Sequence, residues 1–149
     1  MNLRKARNDL GKLLRRIVVA YYRLMGVEVG KGVFISLGAS LDVRRGHLKI
    51  GDGVSITDGC KLLSHDRTAA RLRPGDSGAR TTVIGPRVFI GMNCVVLPGV
   101  TIGENSIIGA GTVVSKDVPP GSVVVGQRMR IIKRFDETTQ TWRRHEEEI

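Results

Sequence analysis

The chain has 149 residues, the size of one domain, and its 24 Lys and Arg outnumber its 14 Asp and Glu for a formal net charge of +10. Such an excess raises nucleic acid and anionic membranes as partners, but Trp142, two tyrosines and three phenylalanines leave no basic-aromatic platform for stacking bases, which argues against nucleic acid. No signal peptide is expected from the N-terminal residues, and the apolar run Ile17 to Ala20 is too short to span a bilayer, so a cytoplasmic location is expected.

Residues 1–26 predict an amphipathic helix, with Leu3, Leu10, Leu13, Leu14, Ile17, Val18, Tyr21 and Leu24 near one face and Arg4, Lys5, Arg7, Lys12, Arg15, Arg16 and Arg23 around it. Two roles suit it. It can cover the open end of the structure that follows, hiding strand edges. Or residues 1–24 can make a peripheral contact with anionic lipid on the inner face of the membrane, where a lipid-linked glycan acceptor would sit.

From Val29 the apolar positions recur every six residues, a period of neither a helix nor an ordinary strand. Hexads open at Val29, Ile35 and Leu41, slip by three residues, and resume at Ile50, Ile56 and Leu62. A second block opens at Ile84, Ile90, Val96, Ile102, Ile108 and Val114. A sustained hexad predicts a parallel β-helix: three short strands and three corners per triangular coil. The first column points inward. The fourth column (Arg87, Asn93, Gly99, Asn105, Gly111, Asp117) holds mostly residues that tolerate left-handed angles or bond their own turn, and marks corners. The fifth (Val88, Cys94, Val100, Ser106, Thr112, Val118) suits a narrow interior. Twelve hexads make about four coils, a prism roughly 19 Å tall at the usual strand spacing. So short a prism leaves apolar faces exposed, and oligomerisation is expected. Cys60 and Cys94 both occupy the fifth column and read as buried small hydrophobes, not a redox or metal pair.

Between the blocks, residues 68–83 break the register with Pro, Gly, Asp, Ser and three arginines, and are expected to form an excursion loop. His65 stands in the fourth column just before it, at a corner beside the loop root. The organisation expected is therefore a helix over 1–26, a β-helix over 29–126 and a C-terminal extension over 127–149. In that extension, Arg130 to Phe135 and Thr141 to Arg144 suggest a hairpin or added strand.

The run S-H-D, then a loop, then the stretch from Ile84 to Gly126 resembles the hexapeptide-repeat acetyltransferases, in the branch of maltose and galactoside O-acetyltransferases and polysaccharide-modifying enzymes. The resemblance covers about residues 29–133. It implies a left-handed β-helix, a homotrimer, and acetyl-coenzyme A lying in a groove between neighbouring prisms. It also makes His65 the general base. The chemistry agrees: transfer from a thioester to a sugar hydroxyl needs a base near neutral pH, and imidazole is suited to it. His47 falls in the register slip and His145 in a charged tail. No nucleophilic Ser or Cys beside a base is visible, so direct transfer is expected without an acyl-enzyme. A corner histidine bonded to a backbone carbonyl is the plainer alternative for His65.

By motif position, the coenzyme contacts carry over to Met92, Ala110, Ser115, Lys116, Arg130 and Lys133, and Gly91, with Gly109 and Arg128, is suited to the same groove by its residue type. Small residues would let the pantetheine arm approach the backbone, and the cations would meet phosphates. Where relatives read G-N-P-A-R, this chain reads Gly126-Gln127-Arg128-Met129-Arg130, losing a proline and adding a cation. Phe89 stands where relatives commonly carry an aromatic against the acetyl or acceptor site. Asp66 and Asp58 are candidates to orient His65 or to bind acceptor hydroxyls. The acceptor expected is a sugar hydroxyl within a surface polysaccharide or glycan pathway. An amino group, as on an amino sugar, is the alternative within the fold, and a non-catalytic β-helical scaffold is the alternative of another class. No metal is expected, since carbonic anhydrases on such a prism need three histidine ligands and the coils carry one.

Overall fold

The computed structural model describes residues 3–126, 133–136 and 141–144. After α1 (Leu3–Leu24) the first coil is β1 (Glu28–Val29), β2 (Phe34–Ile35) and β3 (Ser40–Leu41). The second is β4 (His47–Ile50), β5 (Ser55–Ile56) and β6 (Lys61–Leu62), followed by α2 (Arg67–Leu72). The third is β7 (Thr81–Ile84), β8 (Phe89–Ile90) and β9 (Val95–Val96), and the fourth β10 (Thr101–Ile102), β11 (Ile107–Ile108) and β12 (Val113–Val114). A fifth begins where Val118 bridges Ile102 and β13 (Val123–Val124) pairs with β11. Equivalent strands stack in register into three parallel sheets, β1-β4-β7-β10, β2-β5-β8-β11-β13 and β3-β6-β9-β12, the walls of a left-handed parallel β-helix.

The hexad columns account for the interior. Ile84, Ile90, Val96, Ile102, Ile108 and Val114 are all buried, as are all six fifth-column side chains. A dipeptide strand cannot hold itself; each is fixed by its neighbours in the stack, on both sides inside the sheets and on one side at their ends, and by aliphatic contacts worth about 1.5 to 3 kcal/mol per fully buried side chain. Arg87, Asn93 and Asn105 adopt the left-handed backbone that the fourth column demands, with φ of 55°, 57° and 57°. Cys60 and Cys94 stack on adjacent coils, their thiols donating to Gly91 O and Gly109 O at 3.0 Å each, and burial pushes the Cys94 thiol up.

Two expectations change in detail. The excursion read over 68–83 is partly regular: it opens with α2 and ends inside β7, whose four residues pair with β4 from His47 to Ile50. That fourfold pairing is what the three-residue slip produces, since the corner from Asp42 to Gly46 is longer than the others. Of the apolar stripe expected on α1, Val18 faces the coil and Leu3, Leu10, Leu13, Leu14, Ile17, Tyr21 and Leu24 do not. The helix packs through Arg15, which lies over Phe34, and through Val18, Val19 and Tyr22, the Tyr22 hydroxyl bonding Ala39 O at 3.4 Å and Leu41 N at 3.3 Å. At the other end β14 (Lys133–Asp136) and β15 (Thr141–Arg144) form an antiparallel hairpin, and Arg128 and Arg130 lie outside the described residues.

Candidate active site

His65 follows β6 at the corner where the chain leaves the third sheet and returns to the first. The excursion closes over that corner by local bonds. Asp66 accepts from the amides of Thr68 and Ala69 and caps α2, and its own amide bonds Gly78 O at 2.7 Å. His65 bridges Ala79, Arg80 N bonds Ser64 O at 2.8 Å, and Arg80 pairs with Asp76 at 2.7 Å. That pairing holds the Asp76 carboxyl at about 2.

The partner of His65 is Asp42, which follows β3 at the same corner one coil earlier. Its Oδ2 takes the Nδ1 of His65, and it also accepts from Ser64 N at 3.3 Å, Ser64 Oγ at 3.2 Å and Arg44 N at 3.2 Å. Only 3% of the Asp42 side chain is exposed. Burial alone raises a carboxyl; here the His65 hydrogen bond, together with the backbone amides of Arg44 and Ser64, outweighs it and holds Asp42 at about 2. An ionised Asp42 keeps the proton of the neutral ring on Nδ1 and leaves the Nε2 lone pair free. Nε2 has no protein partner among the described residues and is not sealed from solvent.

Asp42 was missed from the sequence, where Asp66 and Asp58 stood as candidates to orient His65. Neither does so. Asp66 caps α2, and Asp58 lies at a different corner, where it accepts from Ser36 Oγ at 2.9 Å and Gly38 N at 3.1 Å and ties the first two coils together. The usable signal was the slip itself: β3 on β6 puts Leu41 on Leu62, so the residue after Leu41 lies under the His65 corner.

A groove of about 500 Å³ runs along the second sheet to its corner with the third. It brings together five of the expected residues and neighbours, Phe89, Gly91, Met92, Gly109 and Ala110, with Phe34 and Asp58 also in its wall. Gly91 has a structural reason as well: a Cβ there would stand 2.7 Å from Ala110 N, so the next coil itself requires the glycine. Ser115 and Lys116 do not join this groove. They are exposed after β12, at the His65 corner but two coils on. Lys133 lies in the hairpin. One chain therefore presents the histidine and the groove at different corners of its prism.

A family model described as bacterial transferase hexapeptide (six repeats) matches residues 81–116. The galactoside O-acetyltransferase of Escherichia coli (strain K12) is 32% identical over 120 residues, covering 70% of this chain and 59% of that protein. The crystal structure of a maltose O-acetyltransferase from Clostridium difficile 630 is 34% identical, covers 74% of this chain and 60% of that one, and superposes with a TM-score of 0.54. A hexapeptide-repeat acetyltransferase of Vibrio cholerae O1 biovar eltor, solved with acetyl coenzyme A, is 33% identical with a TM-score of 0.57, covering 67% and 55%. The chain thus spans a little over half the length of these relatives. Its hexad stack and its similarity to them over most of its own length agree: the chain belongs to the hexapeptide-repeat transferase family, and the relatives it is similar to include a galactoside and a maltose O-acetyltransferase.

Proposed function

We propose that the chain is an acetyl-CoA-dependent O-acetyltransferase that acts on a sugar hydroxyl, in the making of a surface polysaccharide or other glycan. The observation that carries the reading is the Asp42–His65 pair, a buried carboxylate that orients an imidazole and leaves its second nitrogen free. In direct transfer, Nε2 takes the hydroxyl proton as the sugar oxygen bonds to the thioester carbonyl carbon. The C–S bond then breaks, and the proton passes to the departing coenzyme thiolate. Asp42 stabilises the imidazolium between those two transfers.

The pantetheine arm fits the groove at Gly91, Met92 and Ala110, with Phe89 beside the thioester. Ser115, Lys116, Arg130 and Lys133 supply the phosphate end. Because His65 and the groove stand at different corners, the reading requires a second copy to complete each site, which a homotrimer provides. A direct test is thiol release from acetyl-CoA across a panel of sugars. Acceptor-dependent release is expected, and none with any hydroxylated or amino sugar would overturn the reading.

A further inference from the structure

Every side chain of α1 whose placement is described is exposed except Gly11, Arg15, Val18, Val19 and Tyr22. Those five lie at the i, i+3, i+4 spacing of one face, and that face is the one on the prism. The apolar stripe is a different face. Leu3, Leu10, Leu13, Ile17 and Leu24 are 79%, 56%, 53%, 55% and 85% exposed, and Leu14 and Tyr21 lie in the same arc. At 3.6 residues per turn that arc is turned roughly 120° from the packed face, so the prism does not stand over it. Its length is about 33 Å, the full helix.

Cations border the stripe. Arg7 lies on one flank and Arg16 on the other, with Lys12 and Arg23 behind, all exposed. Asp9 is the helix's one carboxylate, against seven Lys and Arg in the same stretch of sequence. A second copy packed stripe to stripe would set these like charges side by side. An anionic surface complements them. No described helix is long and apolar enough to cross a membrane, and α1 with its cations in two flanks has the pattern of a helix that lies in the interface.

We infer that α1 docks this protein on anionic lipid bilayers, with Leu3, Leu10, Leu13, Ile17 and Leu24 entering the acyl boundary and Arg7 and Arg16 meeting headgroup phosphates. The docking does not depend on the proposed acetyl transfer. Taken with that reading, it selects acceptors held at the bilayer surface.

The test is sedimentation of the full chain with phosphatidylcholine vesicles that contain or lack phosphatidylglycerol. Binding is expected to the anionic vesicles, at least about tenfold above the neutral ones, and to weaken as salt rises from about 0.05 to about 0.5 M. The double variant Leu10→Gln, Ile17→Gln changes two exposed positions and should lose about tenfold or more in partitioning. Arg16→Gln should lose about fivefold, on anionic vesicles only. All should keep the wild-type circular dichroism, elution volume and activity on a water-soluble acceptor. Failure of the wild type to bind anionic vesicles overturns the inference without any variant. So does wild-type partitioning by the double variant, and so does its elution as a smaller species, which would give the stripe to a second copy.

Discussion

Asp42 and His65, 23 residues apart in the chain, meet at one corner because β3 lies on β6 with Leu41 over Leu62. The buried carboxylate below fixes the imidazole above, and the excursion folds down beside both. This relation between two coils, which no single hexad contains, is what orients the imidazole of the corner histidine.

His65→Ala should lower acetyl transfer by about 10² to 10⁴, the contribution of a positioned base. Acetyl-CoA affinity, read by calorimetry, should stay close to wild type because the coenzyme contacts fall to groove residues such as Gly91, Met92 and Ala110, and His65 does not line that groove. Unchanged turnover would remove His65 from the chemistry.

Asp42→Asn should lower turnover by at least about tenfold while keeping the shape of the corner, since an amide no longer holds the proton on Nδ1. The same residue sets a pH dependence. Its folded value, about 2, lies below the unfolded value near 3.9, so its stabilisation is present above about pH 4 and lost as pH falls toward 2. The size is about 2 kcal/mol. Urea melts of wild type and Asp42→Asn at neutral and acid pH should show a stability gap that closes through that window. A gap that persists at pH 2 would mean the amide harms packing and not charge.

Gly46→Ala should be among the most damaging single changes. A Cβ at this position falls on Ser64 O, with Arg80 O 2.5 Å away, so Ser64 and the return strand must both move. Loss of several kcal/mol, or of soluble expression, is expected. An alanine variant with wild-type melting temperature would show that the corner yields.

Lys116→Ala should raise the KM for acetyl-CoA more than that for the acceptor if its ammonium meets phosphate. An effect confined to acceptor kinetics would move Lys116 to the sugar side.

Shortening α1 should act in two stages. Removing residues 1–10 leaves the packed face intact, and the prism should melt as before. Removing residues 1–24 strips Val18, Val19 and Tyr22 from the first coil and should cause aggregation or loss of assembly. A stable, fully folded protein after the longer deletion would end the covering role of the helix's second half.

The hexad columns alone determined the coils, because in a stack of dipeptide strands the inward positions are a linear property of the sequence: every sixth residue must be aliphatic whatever lies above it. Ile84 to Val114 were legible for that reason, and so were the left-handed corners at Arg87, Asn93 and Asn105. The His65 corner was legible too, through its place before the break in register. Asp42 was not, since its role depends on which coil lies against which, and the slip after Leu41 had to fold before the carboxylate could reach the ring. The orientation of α1 was decided the same way. Its periodicity names an apolar face, but which face meets the prism depends on Arg15 over Phe34, on Tyr22 at Ala39 and Leu41, and on the shape of the first coil. Contacts along the chain follow from residue type and period; contacts between turns of the chain follow from three-dimensional register, and the Asp42–His65 corner and the exposed stripe are both of that second kind.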